Sequence, residues 1–99
     1  MPRPIKLTNS VVAKRLKTLS AWTICDNKLH REYQFPDFIS AFSWMTAVAL
    51  VCEKMNHHPN WHHVYNRVEV DLTTHDAGGL TDLDFALAHE MESRFSSYQ

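Results

Sequence analysis

An α+β domain, with an antiparallel four-stranded sheet carrying three helices on one face, is the fold this chain predicts. Residues 64–74 hold Val68, Val70 and Leu72 in alternation with Arg67, Glu69 and Asp71. A period of two with one polar side marks a strand with one wet face, the pattern of an antiparallel sheet covered on its other face only. Phe38, Ala41, Phe42, Met45, Val48, Ala49 and Cys52 instead recur at i, i+3/i+4, i+7, the stripe of a long helix lying on such a sheet. With 99 residues the chain has room for one core, so strands and helices must share it.

Residues 1 to 7 carry two prolines and read as a loose lead-in. Thr8 suits an N-cap, with Leu7 and Val12 placed as a hydrophobic staple. Val12, Leu16 and Leu19 then predict a helix over 9–19. Trp22-Thr23-Ile24-Cys25 is rich in strand formers, Asp26-Asn27 supplies turn chemistry, and Leu29 to Phe35 alternates imperfectly. A hairpin of 21–26 and 29–35 follows. Pro36 and Asp37 fit a first helical turn, opening a helix over 37–55. After the strand of 64–74, Gly78-Gly79 lets the chain turn. Thr81 caps a last helix with Asp84 three residues on, as in a capping box. Leu87, Ala88, Met91 and Phe95 form its buried face. No repeat, low-complexity tract or linker interrupts residues 1–99, which read as a single domain.

Composition excludes several classes of function. Apolar residues make up 44% and charged ones 21%, ordinary for a soluble globular protein. The formal net charge of -1 creates no field to recruit nucleic acid or an anionic membrane. Lys14, Arg15 and Lys17 are the one basic cluster and read as the wet face of the first helix. No run of 18 apolar residues occurs, and the N-terminus lacks the apolar stretch of a signal peptide. Cys25 and Cys52 match neither a redox nor a zinc motif and read as buried free thiols. A cytoplasmic location is therefore expected. Trp44, Phe85 and Phe95 are large apolar residues for so small a core, which predicts an oligomer.

The most informative chemistry lies in Glu53-Lys54-Met55-Asn56-His57-His58-Pro59-Asn60-Trp61 and in Thr73-Thr74-His75-Asp76. Pro59 forces the residue before it out of the helical region, so His58 should stand at a helix exit with its side chain thrown clear. Imidazole, with an unperturbed pKa of about 6.5, exchanges protons near neutrality. A rigid pair with a third histidine one strand away suits acid–base work on a small molecule. His57, His58, His62 and His63 also raise the question of a metal. Pro59 breaks any helical i, i+4 pairing of His58 with His62, and no HExxH or CxxC spacing accompanies them, so no metal is expected. No GxSxG and no phosphate loop occurs, which removes nucleophilic hydrolysis and nucleotide binding.

These residues resemble the signature of the pterin-4a-carbinolamine dehydratase family: an acid ahead of His-His-Pro, then an aromatic, a Thr/Ser-His and a downstream Asp. Here they are Glu53, His57-His58-Pro59, Trp61, Thr74-His75 and Asp84. The similarity continues through Asp37-Phe38, Ala41-Phe42, Met45-Thr46, Val48-Ala49-Leu50, Val64-Tyr65-Asn66, Val68 and Gly79-Leu80, and spans roughly residues 20 to 95. Asn56 stands where the family often has Asp, and His62-His63 lies outside the signature. The resemblance implies dehydration of a 4a-hydroxytetrahydropterin to the quinonoid dihydropterin, without metal or organic cofactor. The substrate would come from an aromatic amino acid hydroxylase. His57 and His75 would do the acid–base work and His58 would hold the pterin. Trp61 would offer an aromatic wall, while Glu53 and Asp84 would orient or charge the imidazoles. It also implies self-association as dimer or tetramer, and a rival role as dimerisation cofactor of a transcription factor or regulator of the hydroxylase. Each secondary residue has a plainer reading: Asp84 as helix cap, Trp61 as core, Glu53 as a solubilising helix residue.

Overall fold

The computed structural model describes residues 4–99, so the lead-in expected over 1 to 7 falls partly outside it. Its described end is tied down, with the Leu7 N–H donating to the Leu80 carbonyl at 2.8 Å. Thr8 caps α1 (Asn9–Leu16), its side chain accepting from the Val11 N–H. The helix stops short of the expected residue 19. Thr18 and Leu19 close i→i+3 bonds to Arg15 and Leu16, a tightened exit turn. Leu19 is buried all the same; its spacing signalled burial, not helix.

Strands β1 (Thr23–Cys25) and β2 (Lys28–Gln34) form the expected hairpin. Asp26 and Asn27 take φ of 51° and 61°, the doubly left-handed loop that matches strand twist and that these two residue types tolerate. Helix α2 (Phe38–Met55) begins at Asp37, whose carboxylate accepts from the Ser40 N–H. That bond holds the Asp37 carboxyl below the usual carboxylate range.

The strand expected over 64–74 is β4 (Arg67–Leu72), and a strand not read from the sequence, β3 (Asn60–Val64), precedes it. Val64 pairs with Arg67, leaving Tyr65-Asn66 as the connection, and Tyr65 takes a φ of 51°. A tyrosine in the left-handed region is uncommon, so no local turn signal divided the run. Helix α3 (Asp82–Phe95) starts with the capping box of Thr81 and Asp84, as its sequence predicts.

The four strands are antiparallel in the order β1-β2-β4-β3. Their dry face carries Leu29, Tyr33, Val68, Val70 and Leu72, against Ala41, Trp44, Val48 and Cys52 of α2 and Leu87, Ala88 and Met91 of α3. α1 adds Val12 and Leu16 at the margin. Full burial of one such aliphatic side chain stabilises the fold by about 1.5–3 kcal/mol. Trp44 is fully buried and its Nε1–H donates to the Met91 carbonyl at 3.1 Å. Phe85 is buried as well, so neither is the uncovered residue that the sequence suggested. Phe38, Ile39, Phe42 and Leu50 of α2 are exposed instead, with Val64 and Tyr65. The helix stripe is thus centred on Trp44 rather than on Phe38 and Phe42. Over its 18 residues α2 has a mean hydropathy of 1.3, sufficient by length and composition for a membrane span. Its buried Trp44 and Cys52 mark it as the core helix of this domain. Of the two thiols, Cys52 is buried as expected, with burial pushing it up to about 11, whereas Cys25 is exposed.

Candidate active site

The site is set by how α2 ends. Asn56 takes the left-handed conformation, φ 52° and ψ 45°, and its N–H bonds back to the carbonyls of Cys52 and Glu53. Asparagine is among the few side chains that accept this conformation readily. The His57 N–H follows onto the Cys52 carbonyl at 3.0 Å. Asn56, before Pro59 is reached, therefore terminates the helix, and the reversal sends consecutive histidines in opposite directions.

His57 turns inward. It is 8% exposed, and its Nε2 lies 2.6 Å from Asp84 Oδ1. Asp84 is fully buried; its second oxygen accepts from Thr74 Oγ1 at 2.7 Å and from the Thr81 N–H at 2.9 Å. Thr74 and Thr81 also bond each other through their hydroxyls at 2.7 Å. Two donors, Thr74 and the Thr81 N–H, fix Oδ2 of Asp84, and its Oδ1 stands as an acceptor for a proton on His57 Nε2. Nδ1 of His57 is left free. Asp84 is at once helix cap and histidine partner, so its two sequence readings are both realised in one side chain.

His58 turns outward. Its Nε2 meets Glu53 Oε2 at 2.6 Å across an exposed pair. Glu53 lies in the last turn of α2 and the pair spans the reversal at Asn56. His75 arrives from the far side. It opens a short 3-10 turn, His75–Ala77, between Thr74, which bridges to Gly79, and Gly78 at φ 74°. A positive φ of this kind is where glycine belongs. His57, His58 and His75 all line one open cavity of about 380 Å³, within the range of small-molecule sites.

Trp61 is not brought to that cavity. It is half-buried on the dry side of β3, packed on the core with its ring centroid 6.3 Å from that of Trp44. The plainer core reading is its place in this chain, and no aromatic wall faces the histidines from it. His62 and His63 point to opposite faces of β3. His63 stacks on Phe38 at 5.0 Å and bonds the Tyr65 carbonyl, whereas His62 is exposed on the other side. The four clustered histidines thus do not converge on one point. Sequence reasoning missed Lys28, Asp71, Thr73 and Asp76, which also line the cavity. Lys28 and Asp71 come from strands remote in sequence. Thr73 and Asp76 flank Thr74-His75 and could have been found from it.

A histidine held by a buried Asp at the end of the core helix thus lines the same cavity as a second histidine that follows β4. The profile of the family described as pterin 4 alpha carbinolamine dehydratase matches residues 5–94. The chain belongs to the pterin-4a-carbinolamine dehydratase family. A relative from Solibacter usitatus, provisionally named a pterin-4-alpha-carbinolamine dehydratase, is 56% identical over 88 residues, 89% of this chain and 93% of its own. One from Prochlorococcus marinus, with the same provisional name, is 47% identical over 94% of this chain and 97% of its own. The crystal structure of a transcriptional coactivator/pterin dehydratase from Brucella melitensis superposes with a TM-score of 0.88 at 40% identity, covering 90% of this chain and 97% of that one. The family's fold is therefore the one described above.

Proposed function

We propose that this chain dehydrates 4a-hydroxytetrahydropterin to the quinonoid dihydropterin plus water, a hydro-lyase reaction that recycles the pterin of aromatic amino acid hydroxylases. The observation that carries the reading is His57, buried and held by Asp84 at 2.6 Å, on the same cavity as His75 and His58. In the reaction the C4a–O bond breaks as the hydroxyl takes a proton and leaves as water, and a ring N–H gives up its proton as the new C=N bond forms. One group donates and another accepts. His57, through its free Nδ1, and His75 do this work from two sides, each transfer contributing about 10²–10⁴-fold. His58, steadied by Glu53 and Pro59, holds the ring. The chain's own residues supply every proton that moves, so neither a metal nor an organic cofactor enters the scheme.

The direct test is the rate of dehydration of freshly generated 4a-hydroxytetrahydropterin above its spontaneous background. A clear excess that survives exhaustive chelation is expected. A rate equal to background would overturn the activity, and a loss restored by zinc would overturn the metal-free scheme.

Self-association belongs to the same reading. Phe38, Ile39, Phe42 and Leu50 leave α2 with an exposed apolar face, the kind of patch that a partner covers. A dimer or tetramer in the cytoplasm is expected, and light scattering that shows a strict monomer at micromolar concentration would sink it. A second reading rests on that face too. The Brucella neighbour is described as a transcriptional coactivator as well as a dehydratase, and a protein-binding role would use α2 while leaving the histidines free.

A further inference from the structure

The wet face of the sheet gathers a second set of chemistry-bearing side chains, on the side opposite the core and apart from the histidine triad. His30 and Glu32 of β2 point there, as do Glu69 and Asp71 of β4 and His62 of β3. The register sets Glu32 directly opposite Glu69 and His62 directly opposite Glu69. One ligand atom from each of His30, Glu32 and Glu69 lies within 4.8 Å of the others. Like charges placed directly across a strand pair are destabilising. Arg67 offsets this only in part, through an exposed salt bridge to Glu32 at 3.8 Å of the kind that contributes little. Glu32 and Glu69 also border a hollow of about 20 Å³, shared with His62, Val64 and Arg67, the space of a single ion or water. His30 is already oriented, its Nδ1 lying 2.9 Å from Asp71 Oδ1. A carboxylate on one ring nitrogen is the usual support of a metal-binding histidine, and it leaves Nε2 as the ligand.

From this geometry we infer a binding site for one divalent zinc-like cation on the outer sheet face, with His30, Glu32 and Glu69 as ligands and the fourth position open to water. One imidazole and two carboxylates fall within the donor set of zinc, and the two glutamates balance its charge. Tetrahedral ligands about 2.1 Å from zinc stand roughly 3.4 Å apart, so ligand atoms now within 4.8 Å of one another must draw together by up to roughly 1.4 Å. Glutamates on a solvated surface have the rotamer freedom to do so. The site rests on strand register and ligand-atom distances and does not need the dehydratase reading, although Asp71 also borders the histidine cavity.

Calorimetric titration of the metal-stripped protein with zinc chloride should give one equivalent per chain. Cobalt in its place should show visible d–d bands without a thiolate charge-transfer band. His30→Ala and Glu69→Gln should each weaken zinc by about tenfold or more, with folding checked by circular dichroism. Asp71→Asn keeps every ligand and should weaken it about tenfold, as lost support of a ligating histidine does. His58→Ala should bind as the parent protein does. Absence of zinc binding by the parent protein at millimolar metal would overturn the site. So would binding that survives Glu69→Gln but is lost in His58→Ala, which would place the metal at the catalytic cavity.

Discussion

His57 and His58 are neighbours in sequence and each pairs with a carboxylate at 2.6 Å, yet the two pairs sit in different surroundings. In one, both partners are buried, and the carboxylate is fixed by two further donors from Thr74 and Thr81. In the other, the side chains are 55% and 77% exposed and the carboxylate has freedom to move. An exposed ion pair contributes about 0–1 kcal/mol and is screened by salt. Removing one partner of a buried, hydrogen-bonded pair leaves the others unsatisfied, at several kcal/mol. Distance alone does not rank the two. Burial and the count of supporting bonds do, and they are the reason the proposed mechanism gives proton transfer to the rigid pair and adjustable binding to the exposed one.

The largest effect should follow from breaking the rigid pair at its acid. Asp84→Ala strands His57, Thr74 and the Thr81 N–H together. A loss of about 3 kcal/mol in stability is expected from denaturant unfolding, with kcat down by about 10²-fold or more. Unchanged stability would mean that the network is slack.

Next come the proton-transfer residues. His57→Ala and His75→Ala should each lower kcat by about 10²-fold after subtraction of the spontaneous reaction. The double variant should lose less than the product of the two if they serve one relay. A folded His75→Ala protein with kcat within a few-fold of the parent would make His75 a binding residue.

The exposed pair should give the smallest changes. His58→Ala should chiefly raise KM, since it removes binding common to ground and transition states. Glu53→Gln should do the same more weakly and alter stability by about 0.5 kcal/mol or less. If Glu53→Gln matched Asp84→Ala in kcat, the contrast between the two pairs would collapse.

The secondary structure was readable wherever a local period or cap carried it. The α2 stripe, the Val68-Val70-Leu72 alternation, the Asp26-Asn27 turn and the Thr81–Asp84 box are each written in a few adjacent residues. The reading faltered where no local signal exists. Tyr65 enters the left-handed region without a glycine, so the turn before β4 was read as its first residues and β3 was missed. Trp44 and Phe42 both lie on the apolar side of α2, and only packing against β4 and α3 decided which is core. The same holds for Trp61, whose aromatic ring suits a ligand wall or a core equally until its strand is placed.

By itself the sequence determined the fold class and the family and singled out three histidines that line one cavity, because patterning, caps and a compact motif are properties of neighbouring residues. The tertiary structure decided what those residues touch. It joined Asp84 to His57 across 27 positions and brought Thr74 beneath both. It also set His30, Glu32, His62 and Glu69 side by side on the outer face of three strands. Such meetings depend on strand register and helix docking, which are fixed only when the shared core closes, and no stretch of adjacent residues encodes them.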